Sequence, residues 1–184
     1  MNATATALDE QALDEQALDE QAVGMDRNSQ DLGINSDRQE YVTLTIAGQV
    51  FGIPVLTVQD VLGPRDVARV PLADRVVAGS INLRGRIVTV IDMRKRLGLP
   101  PRTDKDLGMN VVVEHENNLY SLQIDAVGEV MTFASDTYER NPANIDPLWR
   151  DFSNGVFRLE NKLMIILDVD TILTNVRTEK TKPG

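Results

Sequence analysis

Few side chains in this sequence have the types and spacing that catalysis requires. The only histidine, His115, lies in VVVEHENN, where the chain offers it no histidine or cysteine partner. We therefore predict that it lies at the end of a hairpin, in a solvated turn. Asp168 and Asp170 are close in sequence, but they end an apolar run, which is more typical of a helix cap than of an acid–base pair.

Motifs that bind phosphate groups or activate a serine are also missing from the sequence. It contains no GxxxxGK[ST] loop, no GxGxxG fingerprint and no GxSxG elbow. The chain has no cysteine, which excludes disulfides and thiolate metal sites. We therefore predict a protein without enzymatic activity, without a metal ion and without a cofactor.

Length and composition bound the size of the folded part. With 184 residues, of which 42% are hydrophobic, the chain has room for one domain or for two small lobes that share a core. No apolar run approaches the roughly 20 residues that span a bilayer. The N-terminal stretch MNATATALDEQ lacks the basic and apolar regions of a secretion signal. Together with the lack of cysteine, these features lead us to expect a cytoplasmic protein.

The net charge of -9 is concentrated near the N-terminus. Residues 1–40 carry ten acidic and two basic side chains, whereas residues 41–184 carry 18 and 17. The sequence ALDEQ occurs three times between Ala7 and Gln21. In a helix a five-residue repeat turns successive leucines by about 140°, so they form no apolar stripe. We predict that residues 1–38 are a disordered or transiently helical leader; the alternative is an acidic segment that attracts a basic partner.

A cluster of basic residues gives the folded part its strongest local charge. Six basic side chains and one acid, Asp92, lie between Arg84 and Arg102. Small β-barrels bind single-stranded nucleic acid through such positive surfaces, usually with stacking aromatic rings. Because the cluster has no aromatic residue and the folded part is almost neutral, nucleic-acid binding is the weaker alternative. For Arg94–Arg96 alone, a solvated basic surface is a further interpretation.

From Tyr41 onward the chain consists of short alternating segments separated by turn residues. In YVTLTIAG, Val42, Leu44 and Ile46 alternate with polar or aromatic side chains, which is the period-two pattern of a strand. HENNLY and LENKL have the short polar connections of hairpins. Nine or ten strands at a spacing of about 8–12 residues predict an all-β barrel or sandwich, and the length favours two packed barrels.

Helix signals are few and short. Asp92 is positioned to cap MRKRL, which Gly98 and the two following prolines terminate. The stretch NPANIDPLWRDF indicates a turn or a single helical turn, and DVDTILTN indicates a brief C-terminal helix. None of these segments is long enough for a coiled coil or a DNA-recognition helix.

One longer stretch resembles a family signature. GSINLRGRIVTVIDMRKRLGL, residues 79–99, resembles the signature of the CheW family of bacterial chemotaxis coupling proteins, in which an INLRG turn precedes an apolar strand and an IDLR-type helix start. VFGIPVLTVQDVL, LYSLQIDAVGEVM and LMIILDVDTIL resemble other segments of the family. The resemblance extends over about residues 40–175. Its departures include Asp60, where glutamate is usual, and Ser121, where the family favours glycine.

The resemblance implies two packed five-stranded SH3-like barrels with a few short helices, over residues 39–178, followed by a flexible tail at 179–184. It implies a non-catalytic adaptor that couples the cytoplasmic tip of chemoreceptors, the methyl-accepting chemotaxis proteins, to the regulatory domain of the histidine kinase CheA. Contacts between barrels would build rings with the kinase and other CheW-like domains, and a groove would accept a receptor helix. The protein would reach membrane-associated arrays only through receptors, without binding nucleic acid.

The same resemblance implies a set of partner-binding residues. Arg84 matches the signature arginine of the turn, and Asp60 matches an acidic position that can hold it by a charge-assisted pair. The alternative is that Arg84 only caps carbonyls of its turn. Gly79 and Gly85 flank the turn, where we expect the backbone to approach a neighbour closely or to take a positive φ. The four valines match apolar family positions near the receptor-binding groove, although any one of them alone is more typical of core. The predicted receptor- and kinase-binding set is Val58, Asp60, Gly79, Asn82, Leu83, Arg84, Gly85, Val111, Val127 and Val130.

Overall fold

The computed structural model describes residues 38–103, 107–174 and 176. Almost the whole predicted leader and the predicted tail at 179–184 lie outside these residues, and the compact unit begins at Arg38, one residue before the predicted boundary. The described elements are β1 (Arg38–Ile46), β2 (Gln49–Pro54), β3 (Val58–Leu62), β4 (Val77–Leu83), β5 (Arg86–Asp92), α1 (Met93–Arg96), β6 (Met109–His115), β7 (Asn118–Ile124), β8 (Ala126–Ala134), β9 (Tyr138–Glu139), α2 (Pro147–Asp151), β10 (Ser153–Arg158), β11 (Leu163–Leu167) and α3 (Val169–Leu173).

These strands form two sheets, which we call barrel A and barrel B. Barrel A has the strand order β8-β1-β2-β11-β10-β9, and barrel B has the order β3-β6-β7-β5-β4. The middle of the chain therefore builds barrel B, while the segments before and after it build barrel A. This arrangement confirms the predicted all-β fold with two barrels. Barrel A has one strand more than the five expected, because the two-residue β9 adds an edge.

Tight hairpins with left-handed backbone join many of the antiparallel strands. Ala47 and Gly48 have φ of 50° and 80° between β1 and β2, and Glu116 and Asn117 have φ of 48° and 62° between β6 and β7. A two-residue turn with positive φ at both positions matches the right-handed twist of the flanking strands. The polar connections that predicted hairpins in the sequence therefore lie where the prediction placed them.

Apolar side chains form three clusters that explain how two barrels make one body. One cluster fills barrel A around Tyr41 and Phe157, and a second fills barrel B around Val88 and Val112. The largest lies between the barrels, because strands of both sheets have a second apolar face. Its members from barrel A are Val42, Leu44, Ile46, Phe51, Ile53, Val156, Ile165 and Leu167, and those from barrel B are Ile91, Val111, Val113, Leu122 and Ile124.

Asp125 connects the two barrels at the point where the chain passes from β7 to β8. Its carboxylate accepts hydrogen bonds from Arg94 at 2.6 and 2.9 Å, from Arg102 at 3.0 Å and from the Ala47 amide at 2.6 Å. Burial alone would raise the pKa of Asp125, but the bonds from Arg94, Ala47 and Arg102 together lower that pKa below the usual aspartate value. We call Asp125, Arg94 and Arg102 the inter-barrel clamp.

The interpretation of Arg94–Arg96 as a solvated basic surface is wrong for two of its three residues. The Arg94 side chain is only 16% exposed, because it lies in the clamp. Arg96 donates to the carbonyls of Thr171 and Thr174 at the end of α3, and its guanidinium lies 4.6 Å from the centre of the Phe152 ring. Only Lys95 matches the interpretation, with half of its side chain exposed.

The helix caps lie where the sequence predicted them, whereas the side chain of His115 is less exposed than predicted. Asp92 and Asp168 accept hydrogen bonds from backbone amides at the starts of α1 and α3, as their positions predicted. His115 ends β6 directly before the β6–β7 turn, but its side chain is only 13% exposed. Its Nδ1 lies 2.7 Å from a carboxylate oxygen of Asp170. The predicted hairpin end is therefore correct for His115, but the prediction that its side chain is solvated is wrong.

Candidate partner-binding site

The β4–β5 hairpin presents the arginine that the sequence singled out. Arg84 and Gly85 form its two-residue turn, with φ of 52° and 85°, and Leu83 pairs with Arg86 across it. The Asn82 side chain accepts a hydrogen bond from the Gly85 amide at 2.8 Å, which fixes the turn locally. A left-handed backbone is unfavourable for arginine, so turn propensity does not explain why position 84 carries this residue.

The Arg84 side chain reaches back to β3. Its Nη2 lies 3.1 Å from a carboxylate oxygen of Asp60, while the side chain of Arg84 is 84% exposed. β3 and β4 are the two outer strands of barrel B, so this ion pair links the edges of one sheet. Among the described residues Arg84 bonds to Asp60 and to no carbonyl of its turn, which argues against the alternative of a turn cap. An exposed pair of this kind contributes less than about 1 kcal/mol to stability.

The two glycines of the set do different things. Gly79 is buried in β4 at φ of 151°, where an added Cβ would overlap the carbonyl oxygen of Ala68. Ala68 and Ser80 exchange two backbone hydrogen bonds there, so the loop after β3 is tied to β4. Gly85 has open space around it and is required only for its positive φ. Gly79 therefore maintains the fold, whereas Gly85 lies in the exposed turn.

The four valines of the set differ in their exposure to solvent. Val58 on β3 and Val127 on β8 are partly buried and pack at the rim of the inter-barrel core. Val130 on β8 is 56% exposed, which leaves it free to contact a partner. Val111 is completely buried in the inter-barrel core, so its assignment as a contact residue is corrected. Its burial follows from β6 lying second in the sheet, covered on both faces.

Three exposed apolar side chains beside this set were missed from the sequence. Leu56 is 94% exposed in the single 3-10 turn before β3, Val61 follows Asp60 and is 41% exposed, and Ile87 is 74% exposed opposite Asn82. Exposed apolar residues are candidate contacts for a partner. Strict alternation along β5 could have identified Ile87 as exposed, because it places Ile87 on the opposite face from the buried Val88. We call Asp60, Asn82, Arg84 and Gly85, together with these three, the hairpin surface.

The described part of the chain offers no arrangement suited to metal chemistry. Within residues 38–103, 107–174 and 176, no group of three or more histidine, aspartate or glutamate side chains is placed to hold a metal ion. In the same residues no helix is long and apolar enough to cross a membrane. What the hairpin surface combines is one exposed guanidinium, one carboxylate and exposed aliphatic side chains, which suits contact with another polypeptide.

Comparison with known proteins decides the family. A family model described as a CheW-like domain matches residues 40–177, which is most of the chain. The chain belongs to the CheW family. The resemblance stated from the INLRG stretch is thereby confirmed, and it extends to the last described residue, Val176.

Curated relatives and a solved structure agree with this assignment. The chemotaxis protein CheW of Treponema pallidum is 25% identical over 153 residues, covering 81% of this chain and 90% of that protein. A probable chemotaxis protein CheW of Rhizobium etli is 22% identical, covering 79% and 94%. The crystal structure of the scaffolding protein TtCheW from Thermoanaerobacter tengcongensis matches with a TM-score of 0.66 and 28% identity, covering 76% of this chain and 95% of that one. These relatives support a scaffold or adaptor role in chemotaxis.

Proposed function

We propose that this protein is a non-catalytic adaptor that couples the cytoplasmic tip of chemoreceptors to the regulatory domain of the histidine kinase CheA. The observation that supports this most directly is the exposed Arg84, held by Asp60 on a two-residue turn, with exposed apolar side chains on β3 and β5. The chemotaxis scaffold role of the family supplies the context. The protein then works in the cytoplasm at receptor arrays and meets the membrane only through receptors.

The hairpin surface supplies two kinds of contact to such partners. Arg84 carries five donors in a planar fork, and the ion pair with Asp60 limits its rotamers before binding. Pre-ordering a long side chain reduces the entropy that binding removes. The exposed aliphatic residues provide the apolar contact that an amphipathic receptor helix needs. Val58, Val127 and Val130 extend the apolar contact from the barrel B edge to β8.

The alternative of nucleic-acid binding by the Arg84–Arg102 cluster has little support in the structure. Arg94 and Arg102 bind Asp125, and Arg96 binds carbonyls of α3, so these three guanidinium groups are used inside the fold. A surface that binds a phosphate backbone needs several accessible cations in a row. Of the other three, Arg84 and Lys95 are ion-paired with Asp60 and Asp92, which leaves Arg86 as the exposed cation of the cluster without an ion pair among the described residues.

The direct test is a pull-down of the full chain with a CheA regulatory domain and a receptor signalling-tip fragment. We expect wild type to bind both partners, and Arg84→Glu to lose receptor binding because it reverses the charge of the turn and repels Asp60. Arg158→Glu is the matched control, because Arg158 is also exposed and also ion-paired, to Glu139, but it lies on barrel A. Surface substitutions change stability by about 0.5 kcal/mol, so unfolding does not explain a loss.

Equal receptor binding by wild type and Arg84→Glu would contradict the assignment of Arg84. Failure of folded wild type to bind either partner would contradict the proposed function as a whole, and the family would then indicate only the fold. Loss in Arg158→Glu as large as in Arg84→Glu would show that any reversed surface charge weakens the complex. Circular dichroism of each variant verifies that all of them are folded.

A further inference from the structure

The segment NPANIDPLWRDF, residues 141–152, has no part in the proposed receptor contact. It carries α2 and connects β9 to β10, so it belongs to barrel A. Asp146 caps α2 by accepting a hydrogen bond from the Leu148 amide at 2.8 Å, and Pro147 is the first residue of the helix. The sequence of the segment therefore starts a short helix at a defined position.

Hydrogen bonds and one ring contact fasten α2 to barrel A. The Asn141 side chain donates to the Ser153 carbonyl at 3.0 Å, and the Ser153 hydroxyl donates to the Asn141 side-chain oxygen at 2.8 Å. The Trp149 ring packs edge-on against the Phe51 ring of β2, with ring centres 5.6 Å apart. These contacts fix α2 relative to the strands of barrel A.

The short helix α1 belongs to barrel B, because it directly follows β5. Met93 and Leu97 are almost completely buried in the inter-barrel core. Arg94, near the start of α1, binds Asp125 in the inter-barrel clamp. Gly98 ends the helix with φ of 65°. The position of α1 therefore depends on barrel A as well as on its own barrel.

Side chains of α2 contact the end of α1. The Trp149 indole N–H donates to the Leu97 carbonyl at 3.0 Å, and this carbonyl is one of those that a helix end leaves without a partner inside the helix. A Cβ added at Gly98 would lie 2.7 Å from Cδ2 of Leu148, so the absence of a side chain lets the two helices approach. The tryptophan and the glycine thus join a helix of barrel A to a helix of barrel B.

Phe152, which follows α2 directly, adds a third contact to α1. The guanidinium of Arg96 lies 4.6 Å from the centre of the Phe152 ring, where the π electrons attract a cation. We call Leu148, Trp149 and Phe152 the α2 brace. The clamp therefore holds α1 near its start, and the α2 brace holds its end.

Strand β5 connects α1 to the turn that carries Arg84. It has seven residues, Arg86–Asp92, which span about 23 Å. β5 pairs with β4 on one side and with β7 on the other, so it is supported along both edges. A change in the position of α1 against barrel A therefore moves the hairpin surface relative to β8.

We propose that the α2 brace sets the orientation of the two barrels and thereby positions the hairpin surface relative to β8 for receptor binding. This inference rests on the proposed function, in which the receptor contacts the hairpin surface on barrel B and Val127 and Val130 on barrel A. A rigid helix reaches both barrels only in orientations that match its shape, so binding selects among orientations. Leu148 and Trp149 are positioning residues, which act through α1 and β5.

Distances between two spin labels in the full chain test the α2 brace. The protein has no cysteine, so Thr132→Cys on β8 and Arg86→Cys beside the turn place one label on each barrel, both at exposed positions. We expect double electron–electron resonance to give one narrow distance distribution with the intact brace. Trp149→Phe keeps an aromatic ring but removes the N–H donor, and we expect part of the molecules to leave the narrow population. Leu148→Ala removes the packing on α1 and is expected to act in the same way.

Receptor affinity shows whether this orientation matters for binding. When only a fraction of the molecules has the competent orientation, the apparent affinity falls by that fraction. A Trp149→Phe chain that keeps the narrow distance in half of its molecules is expected to bind the receptor signalling-tip fragment about twofold more weakly. Excess fragment is expected to restore the narrow distribution, because it binds that orientation.

Two controls separate a change of orientation from unfolding. Tyr138→Phe also removes a side-chain donor to a backbone carbonyl, that of Asn154, but both residues belong to barrel A, so the distances must stay unchanged. Labels at Thr132→Cys and Lys162→Cys lie on barrel A alone, and their distance distribution must be the same with and without Trp149→Phe.

The outcomes distinguish the α2 brace from the proposed function. A narrow, unshifted distribution in both Trp149→Phe and Leu148→Ala would overturn the brace, whether or not the receptor fragment binds. Altered distances with wild-type affinity, or an equal change in Tyr138→Phe, would overturn the positioning of the hairpin surface. Failure of the wild-type chain to bind the fragment would contradict the proposed function, and the distances alone would then decide whether the brace sets the orientation.

Discussion

Two carboxylate–arginine sites in this protein are built from the same chemical groups but lie in opposite environments. Asp60 and Arg84 form one pair on the hairpin surface, where the arginine is 84% exposed. Asp125, Arg94 and Arg102 form the inter-barrel clamp, where no side chain is more than 16% exposed. Water screens the first site, so its ion pair adds little stability. In the second site the charges depend on one another, since removing a partner leaves a buried charge uncompensated.

Charge alone therefore does not identify a binding surface in this protein. Arg84, Arg94 and Arg102 belong to one basic cluster in the sequence, but only Arg84 is presented to solvent. We therefore expect substitutions in the clamp to change stability, and substitutions on the hairpin surface to change binding.

Matched substitutions of the two aspartates are expected to give the largest difference in stability. Asp125→Asn removes the charge that compensates Arg94 and Arg102, and we expect the free energy of unfolding to fall by about 2–3 kcal/mol. Asp60→Asn changes an exposed pair, and the expected loss is below about 1 kcal/mol. Urea unfolding followed by tryptophan fluorescence measures both, because Trp149 packs against the inter-barrel core. Equal losses in the two variants would contradict the division.

The two glycines of the INLRG region provide a second matched pair. Gly79→Ala places a Cβ against the carbonyl oxygen of Ala68, and we expect a loss of about 2 kcal/mol or more. Gly85→Ala meets no neighbouring atom, so its cost is that of a positive φ alone, about 1 kcal/mol. Thermal unfolding at a fixed protein concentration ranks the two. A larger loss in Gly85→Ala would show that the turn, not the β4 contact, limits stability.

Acid should weaken the clamp. The pKa of Asp125 is lower in the folded protein than the aspartate value of 3.8, so the unfolded chain binds more protons as the pH falls. The stabilisation from Asp125 is therefore complete above that value and is lost as the pH drops through the folded pKa. We expect the unfolding free energy of wild type to fall more steeply than that of Asp125→Asn as the pH drops below 3.8. Parallel pH profiles would contradict this.

The smallest expected effect is on the apolar part of the hairpin surface. Ile87→Ser removes a 74% exposed aliphatic side chain, so stability should change by less than about 0.5 kcal/mol. We expect receptor-fragment affinity to fall by about threefold to tenfold, as for a moderate interface contact. Leu72→Ser is the control, because Leu72 is 90% exposed and lies in the loop between β3 and β4. The same loss of affinity in both variants would show that Ile87 makes no specific contact with the receptor fragment.

Local features of the fold could be predicted from the sequence because their causes are local. The alternation of apolar and polar residues predicted the strands, and polar turn residues predicted the hairpins. Asp92 and Asp168 marked the starts of helices. The pairing of Arg84 with Asp60 came from the family resemblance, since 24 residues separate the two and spacing alone does not pair them. The family also supplied the fold of two barrels with a shared core.

Features that depend on distant parts of the chain could not be predicted. Asp125 lies 31 residues from Arg94, so counting charges in the basic cluster could not reveal that the arginine is neutralised. His115 was placed in solvent because its partner Asp170 is 55 residues away. Val111 lies in the apolar run VVV, where alternation gives no exposed face. In each case sheet order and barrel packing, not local propensity, determine the environment.

The most direct test of the division is to measure stability and receptor affinity together in two variants. Wild type, Arg84→Glu and Asp125→Asn are titrated with a receptor signalling-tip fragment at a temperature where all three are folded. We predict that Arg84→Glu loses at least about tenfold in affinity with nearly wild-type stability, in the manner of a central interface arginine. Asp125→Asn is predicted to keep its affinity while losing stability. Wild-type affinity in Arg84→Glu, or equal loss of affinity in both variants, would contradict the division between a stabilising clamp and a binding hairpin surface.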